Sequence, residues 1–201
     1  MDKKVRKKRL INGLIIIGVL LALLAIAYVV LSIIASEEID YGYEFYEPDW
    51  QCDIMQDEEY LERGWHITYT NDMGESVAIL DDNYAKFGIG VEFLSYYFAA
   101  IQSGDHEVYN GLFGDEYFEK NDPVEPFTPQ RIYDINIRFL SEEKIDDESF
   151  FVNYEIEYKI MRNDGTFRRD IGSDMARTQF LALKFTEDDI FISNISSVFA
   201  K

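Results

Sequence analysis

From Leu10 to Ser36 the chain runs for 27 residues without one charged side chain. Its centre, Leu14 to Ala35, is 22 residues long, and 15 of them are Leu, Ile or Val. As a helix this stretch spans about 33 Å, enough for a hydrocarbon core of about 30 Å. Its aliphatic side chains favour insertion by about 5–9 kcal/mol. The apolar region of a cleaved signal peptide is shorter, roughly 7–15 residues. Ala25-Ile26-Ala27 has the small-x-small form of a cleavage site, but cutting there leaves mostly apolar residues on the mature end, and no cysteine directly follows to accept a lipid. The stretch therefore reads as an uncleaved membrane anchor.

Charge sets the orientation. Lys3, Lys4, Arg6, Lys7, Lys8 and Arg9 precede the anchor, and Glu37, Glu38 and Asp40 follow it. The basic end stays in the cytoplasm and the acidic bulk lies outside it. From Glu37 onward 13 basic residues face 37 acidic ones, a net charge of −24. Such a surface repels phosphate backbones and excludes nucleic acid as a partner of this part. An aromatic content of 15% speaks against wholesale disorder. Cys52 is the one cysteine, which excludes an internal disulfide and a cysteine zinc cage. It is either a thiol open to an intermolecular disulfide or a buried small side chain.

Residues 37–63 are acidic and aromatic, with Tyr41, Tyr43, Phe45, Tyr46 and Trp50, and show no period. Pro48 and Asp57-Glu58-Glu59 argue against a long regular element, so this segment reads as a spacer. The compact domain is expected from Gly64 to the C-terminus. Trp65, Ile67 and Tyr69 alternate with His66, Thr68 and Thr70, and Val77 and Ile79 resume the alternation after a turn-like Asn71-Asp72-Met73-Gly74, a hairpin pattern. Phe87, Val91, Leu94 and Phe98 lie at i, i+4, i+7 and i+11, widened by Tyr97 and Ile101, which predicts a helix burying one face on a sheet. Gly104 ends it, and Asp105 caps a short helix bearing Val108, Tyr109, Leu112 and Phe113.

Beyond Pro123, Pro126 and Pro129 the period becomes two. Tyr133, Ile135, Ile137 and Phe139 share one predicted face, as do Val152, Tyr154, Ile156, Tyr158 and Ile160. Asn163-Asp164-Gly165 predicts a hairpin turn, with the next strand continuing through Phe167, Arg169 and Ile171. Phe180 to Phe185 and Ile190 to Ser196 complete the set. Strands following helices give an α+β class with a mostly antiparallel sheet. The organisation expected is a basic cytoplasmic tail at 1–10, a transmembrane helix at 11–36, the spacer at 37–63, and an exported domain with an added N-terminal hairpin at 64–201.

The run Val91-Glu92-Phe93-Leu94, then Ile101-Gln102-Ser103-Gly104-Asp105-His106 and a short helix ending in Leu112-Phe113, resembles the opening of a nuclear transport factor 2-like domain of the SnoaL-like and ketosteroid-isomerase-like kind. The resemblance covers about residues 87–200. It implies a cone in which a curved, mostly antiparallel sheet wraps a long helix. Anchored exported members of this superfamily resemble assembly components of type IV secretion and conjugation channels, which implies a bacterial cell membrane and other envelope proteins as the setting. Enzymatic members work inside the cone with an Asp or His base and a Tyr or Asp donor.

The residues of this chain do not assemble such a set. His106 follows a helix cap in a polar stretch, and His66 lies opposite the apolar face of its strand. Tyr133, Tyr154 and Tyr158 read as packing residues that could also line a pocket. Asp81-Asp82, Asp146-Asp147-Glu148 and Glu187-Asp188-Asp189 lack the alternate spacing and terminal Glu of a calcium loop, and read as solvated turns. Asn194-Ile195-Ser196 matches a glycosylation acceptor. No catalytic, cofactor-binding or metal residue is assigned, and no cofactor is expected. The expected function is a non-catalytic, single-pass anchored scaffold that binds other envelope proteins or a second copy of itself, held in the membrane by Leu14 to Ala35. The alternative is a small-ligand-binding or isomerase- or dehydratase-like cone. Protease added to intact cells should remove a tag at the C-terminus, and a tag that stays protected would overturn the orientation.

Overall fold

The computed structural model describes residues 42–80 and 83–197. The expected basic tail, the expected anchor and the Asp81-Asp82 patch lie outside the described residues. Among those described, no helix is long and apolar enough to cross a membrane. Tyr41–Lys201 is one compact unit.

The class is α+β. A 3-10 turn (Ile54–Gln56) and α1 (Glu58–Arg63) lead into the hairpin β1 (Ile67–Thr70) and β2 (Ser76–Ile79). Three helices follow: α2 (Ile89–Ser103), α3 (His106–Gly111) and α4 (Asp115–Phe118). The long strands β3 (Arg131–Lys144), β4 (Phe150–Met161), β5 (Gln179–Phe185) and β6 (Ile190–Ser197) close the chain. They form a six-stranded sheet in the order β2-β1-β3-β4-β5-β6. Every neighbouring pair is antiparallel except β1–β3, which is parallel.

Local chemistry accounts for these boundaries. Gly104 ends α2 in the left-handed conformation at φ 70°. The Asp105 carboxylate accepts from the Val108 amide at 3.0 Å and starts α3. The expected stripe is buried from Val91 on, where Val91, Leu94, Tyr97, Phe98 and Ile101 pack with Ile137, Ile156, Tyr158 and Leu183 of the sheet; its first member, Phe87, lies before α2 in a 3-10 turn (Tyr84–Phe87) and is half-buried.

Three expectations are corrected. The first is the spacer, because much of residues 42–63 is docked on the domain. Tyr60 is fully buried, donating to the Ile132 carbonyl at 2.7 Å and accepting from Gln102 Nε2 at 3.0 Å. Asp57 caps α1 and takes Arg131 Nε at 2.7 Å. Phe45 lies against Gly165, and the Tyr46 amide donates to the Asn163 carbonyl at 3.0 Å. The domain therefore begins well before Gly64. A sequence without a period gave no sign of this, because the segment packs through isolated side chains.

The second correction concerns Tyr133. Between Tyr133 and Asn136, β3 gains a residue over β4, a bulge with Asp134 at φ 49°. The bulge resets the alternation. Ile132 then faces the main core, while Tyr133 joins Ile54, Tyr60 and Met161 in a separate cluster on the other side. The third concerns the hairpin at Asn163-Asp164-Gly165. Residues 162–178 form an irregular loop touching the sheet through a bridge between Lys159 and Ala176. Arg162 takes φ 52°, and the buried Asn163 amide donates to the carbonyls of Arg168 and Ile171, replacing strand pairing with a side-chain scaffold.

At Gly104 an added Cβ would stand 2.7 Å from the Pro129 nitrogen, at a positive φ. Gly104→Ala should therefore cost about 2 kcal/mol or more of unfolding free energy, read from urea midpoints; an unchanged midpoint would contradict this packing.

Candidate functional site

Inside the sheet, rings meet rings. Tyr97 lies 5.4 Å from both Phe98 and Tyr109, centroid to centroid, and Phe98 lies 6.1 Å from Tyr158. Tyr109 continues the stack to Phe113, Phe127 and Phe167 at 5.2, 5.8 and 5.3 Å. Each pair adds about 0.5–1.5 kcal/mol beyond the area it buries.

Among the described residues one charged side chain is buried here, with its partner carboxylate half-buried beside it. Arg168, 6% exposed, reaches in from the 162–178 loop. Its Nε and Nη2 grip the Asp170 carboxylate at 2.8 and 2.6 Å, and Arg177 Nη1 lies 3.4 Å from the same carboxylate. The guanidinium sits 5.5 Å from the centre of the Tyr158 ring. The Tyr97 and Tyr158 hydroxyls, Arg168 Nη1 and Gln179 Oε1 are buried with no hydrogen bond of good geometry. Buried polar groups of this kind are commonly completed by an internal water.

The electrostatics of these tyrosines do not suit proton transfer near neutral pH, which needs a pKa near the working pH. Burial pushes Tyr97 well above 10, and its neighbours Tyr109 and Tyr158 add to the rise. Burial also raises Tyr109 and Tyr154. It raises Tyr158 as well, with Arg168 opposing. Outside the main core, burial and then the Asp174 carboxylate push Tyr133 up to about 12.

The other sequence candidates lie apart. His66 sits on the outer face with its imidazole 68% exposed and Nδ1 3.4 Å from Asp134 Oδ1. Lys159 donates to the other oxygen of that carboxylate at 2.8 Å and holds Asp134 below the usual carboxylate value. His106, half-buried, begins α3. Cys52 is partly buried and its sulfur accepts from Arg131 Nη2 at 2.8 Å. Asp146 accepts from the Glu148 amide and the Ser149 hydroxyl, and Asp189 accepts from the Ile190 amide, so both acidic turns hold themselves together. Among the described residues no three His, Cys, Asp or Glu side chains converge as metal ligands. Asn194 is exposed on β6.

Sequence reasoning missed Arg168, Asp170 and Gln179. Arg168 lies between Phe167 and Arg169 of an expected strand that is a loop in the structure, and Gln179 sits one residue before a predicted strand. The signal available was a cluster of charges inside an apolar alternation.

Two adjoining clefts open on the outside, of about 650 and 530 Å³, sharing Phe93, Asp189 and Ile190. Comparison of the chain with family models, curated proteins and solved structures returns no match.

Burial alone would raise the Asp170 pKa, but the Arg168 fork and then Arg177 outweigh it and hold the carboxyl below its ordinary 3.8. A depressed folded-state pKa gives stability that is full above the unfolded value and lost as pH falls through the folded one. Asp170→Asn should cost about 3 kcal/mol at neutral pH, because it leaves Arg168 buried without its counter-charge. In urea melts the gap to wild type should narrow below pH 3.8; a gap independent of pH would contradict the pairing.

Proposed function

We propose that this chain is a single-pass anchored, non-catalytic binding domain of nuclear transport factor 2-like form, which holds other envelope proteins outside the cytoplasm. The observation that carries the reading is the interior. The space in which a cone enzyme would seat its substrate is occupied by Tyr97, Phe98, Tyr109 and Tyr158. The polar groups there are tyrosines whose burial keeps them protonated, and so unable to serve as bases near neutral pH, and an arginine already committed to Asp170. The clefts of useful size lie on the outer surface, where a protein side chain can reach them.

The order of elements supports the family resemblance: a long helix, Gly104-Asp105, a short helix, then long antiparallel strands. The charge-free stretch with its basic and acidic flanks supports the anchor. Affinity isolation of the full chain in mild detergent should recover one or more proteins reproducibly, against a control anchor lacking residues 42–201. Recovery of the chain alone would count against the reading. Turnover of a small ligand that is abolished by Tyr158→Phe would replace it with the enzymatic one.

A further inference from the structure

Helix α2 carries a second apolar stripe. Ile89, Phe93 and Tyr96 lie at i, i+4 and i+7; Ile89 and Tyr96 turn away from the buried Val91–Leu94–Tyr97 face, and Phe93 between them is half-buried against the core. Ile89 and Tyr96 are 60% and 56% exposed. At 1.5 Å per residue the stripe is about 10 Å long. The two clefts meet along it, and together they form one groove running from the β5–β6 turn past α2 to α4.

The floor of the groove is apolar, extended by Leu112 and Phe191. Gly114 makes room for Phe191, since a Cβ there would stand 2.2 Å from the ring. The walls are acidic. Asp115, Glu116 and Glu119 stand on one side and Glu187, Asp188 and Asp189 on the other, and no Lys or Arg lines either cleft. One cation stands at the edge: Lys184 Nζ is 2.9 Å from Glu116 and 5.6 Å from the centre of the Phe191 ring. Strand addition is closed at the centre of β6, where the Ile192 amide donates to the Leu112 carbonyl at 2.8 Å and its carbonyl accepts from the Gly114 amide at 3.1 Å. An occupant therefore docks through side chains.

We propose that this groove receives a cationic amphipathic segment of a partner protein, with large apolar side chains on Ile89, Phe93 and Tyr96 and Lys or Arg against the two acidic walls. Charge complementarity selects this occupant. A neutral or acidic partner would face six carboxylates, of which Glu116 alone has a cation, Lys184, beside it. A second copy of the domain, residues 41–201, brings a net −21 of its own. The inference rests on the protein-binding reading and adds to it the partner's chemistry.

The test uses the full chain in detergent micelles and a labelled peptide in which Lys and Arg alternate with Leu and Trp, followed by anisotropy at about 150 mM salt to screen general attraction. Ile89→Ser with Tyr96→Ser, both exposed, should weaken binding about tenfold, as should Glu187→Lys with Asp188→Lys. Glu58→Lys with Glu62→Lys makes the same charge change on α1. That helix packs by Tyr60 on Met161, the end of β4 opposite Phe150, whose partner Phe185 leads into the acidic turn. This control should change binding less than about twofold. Equal loss in both charge variants, or indifference to the Ile89 and Tyr96 changes, would overturn the groove. Affinity isolation with the groove variants separates the two claims. Partners retained by these variants would sink the groove while leaving the binding reading intact. If wild type recovers no partner, the binding reading fails, and the peptide measurements still decide the groove.

Discussion

The burial of one stripe of α2 on the inner face of the sheet is the contact on which the rest of the structure depends. Leu94, Tyr97 and Ile101 have no solvent exposure, and the same is true of Ile137, Ile156, Tyr158 and Leu183 across from them. Fully burying each such side chain contributes about 1.5–3 kcal/mol. The remaining elements are arranged around this contact: α3 and α4 follow the turn at Gly104-Asp105, and the 162–178 loop covers the aromatic stack with Phe167.

That loop carries a cost that the core must offset. Arg168 and Asp170 are withdrawn from water, and a buried ion pair is often no more stabilising than a well-packed apolar pair. What the pair does secure is geometry. A guanidinium gripped at two nitrogens fixes the loop against Tyr158, and Asn163 holds the backbone of the same loop from within. The outer docking of residues 42–63 works in the same way, through Arg131 on Asp57 and Arg162 on Asp57 and Glu59. In a domain with 13 basic residues against 34 acidic ones, cations are scarce. Three of them form such clamps: Arg131 and Arg162 hold the N-terminal end of α1, and Arg168 holds a loop with no regular structure.

The division between interior and exterior bears directly on function. An interior of packed rings and raised tyrosine pKa values is suited to rigidity. The outside of α2, by contrast, leaves Ile89 and Tyr96 in solvent beside carboxylates. A helix with two apolar stripes, one buried and one not, is what a docking platform needs: the first fixes the second in place.

The sequence alone determined the helix α2, its stop at Gly104, the hairpin at Ile67–Ile79 and the long strands, because each rests on a local period or cap that any window of the chain displays. It also determined the acidity of the surface and hence the sign of any charged partner. The tertiary structure alone decided that Tyr133 faces away from the main core, since one extra residue in a bulge inverts an alternation that looked continuous. It alone decided that Arg168 is inside and that residues 42–63 pack, since both depend on partners distant in the chain. The groove was legible in part: Ile89, Phe93 and Tyr96 have helical spacing, but only the fold shows that Ile89 and Tyr96 are exposed among the described residues and that two acidic segments distant in sequence line the clefts beside them.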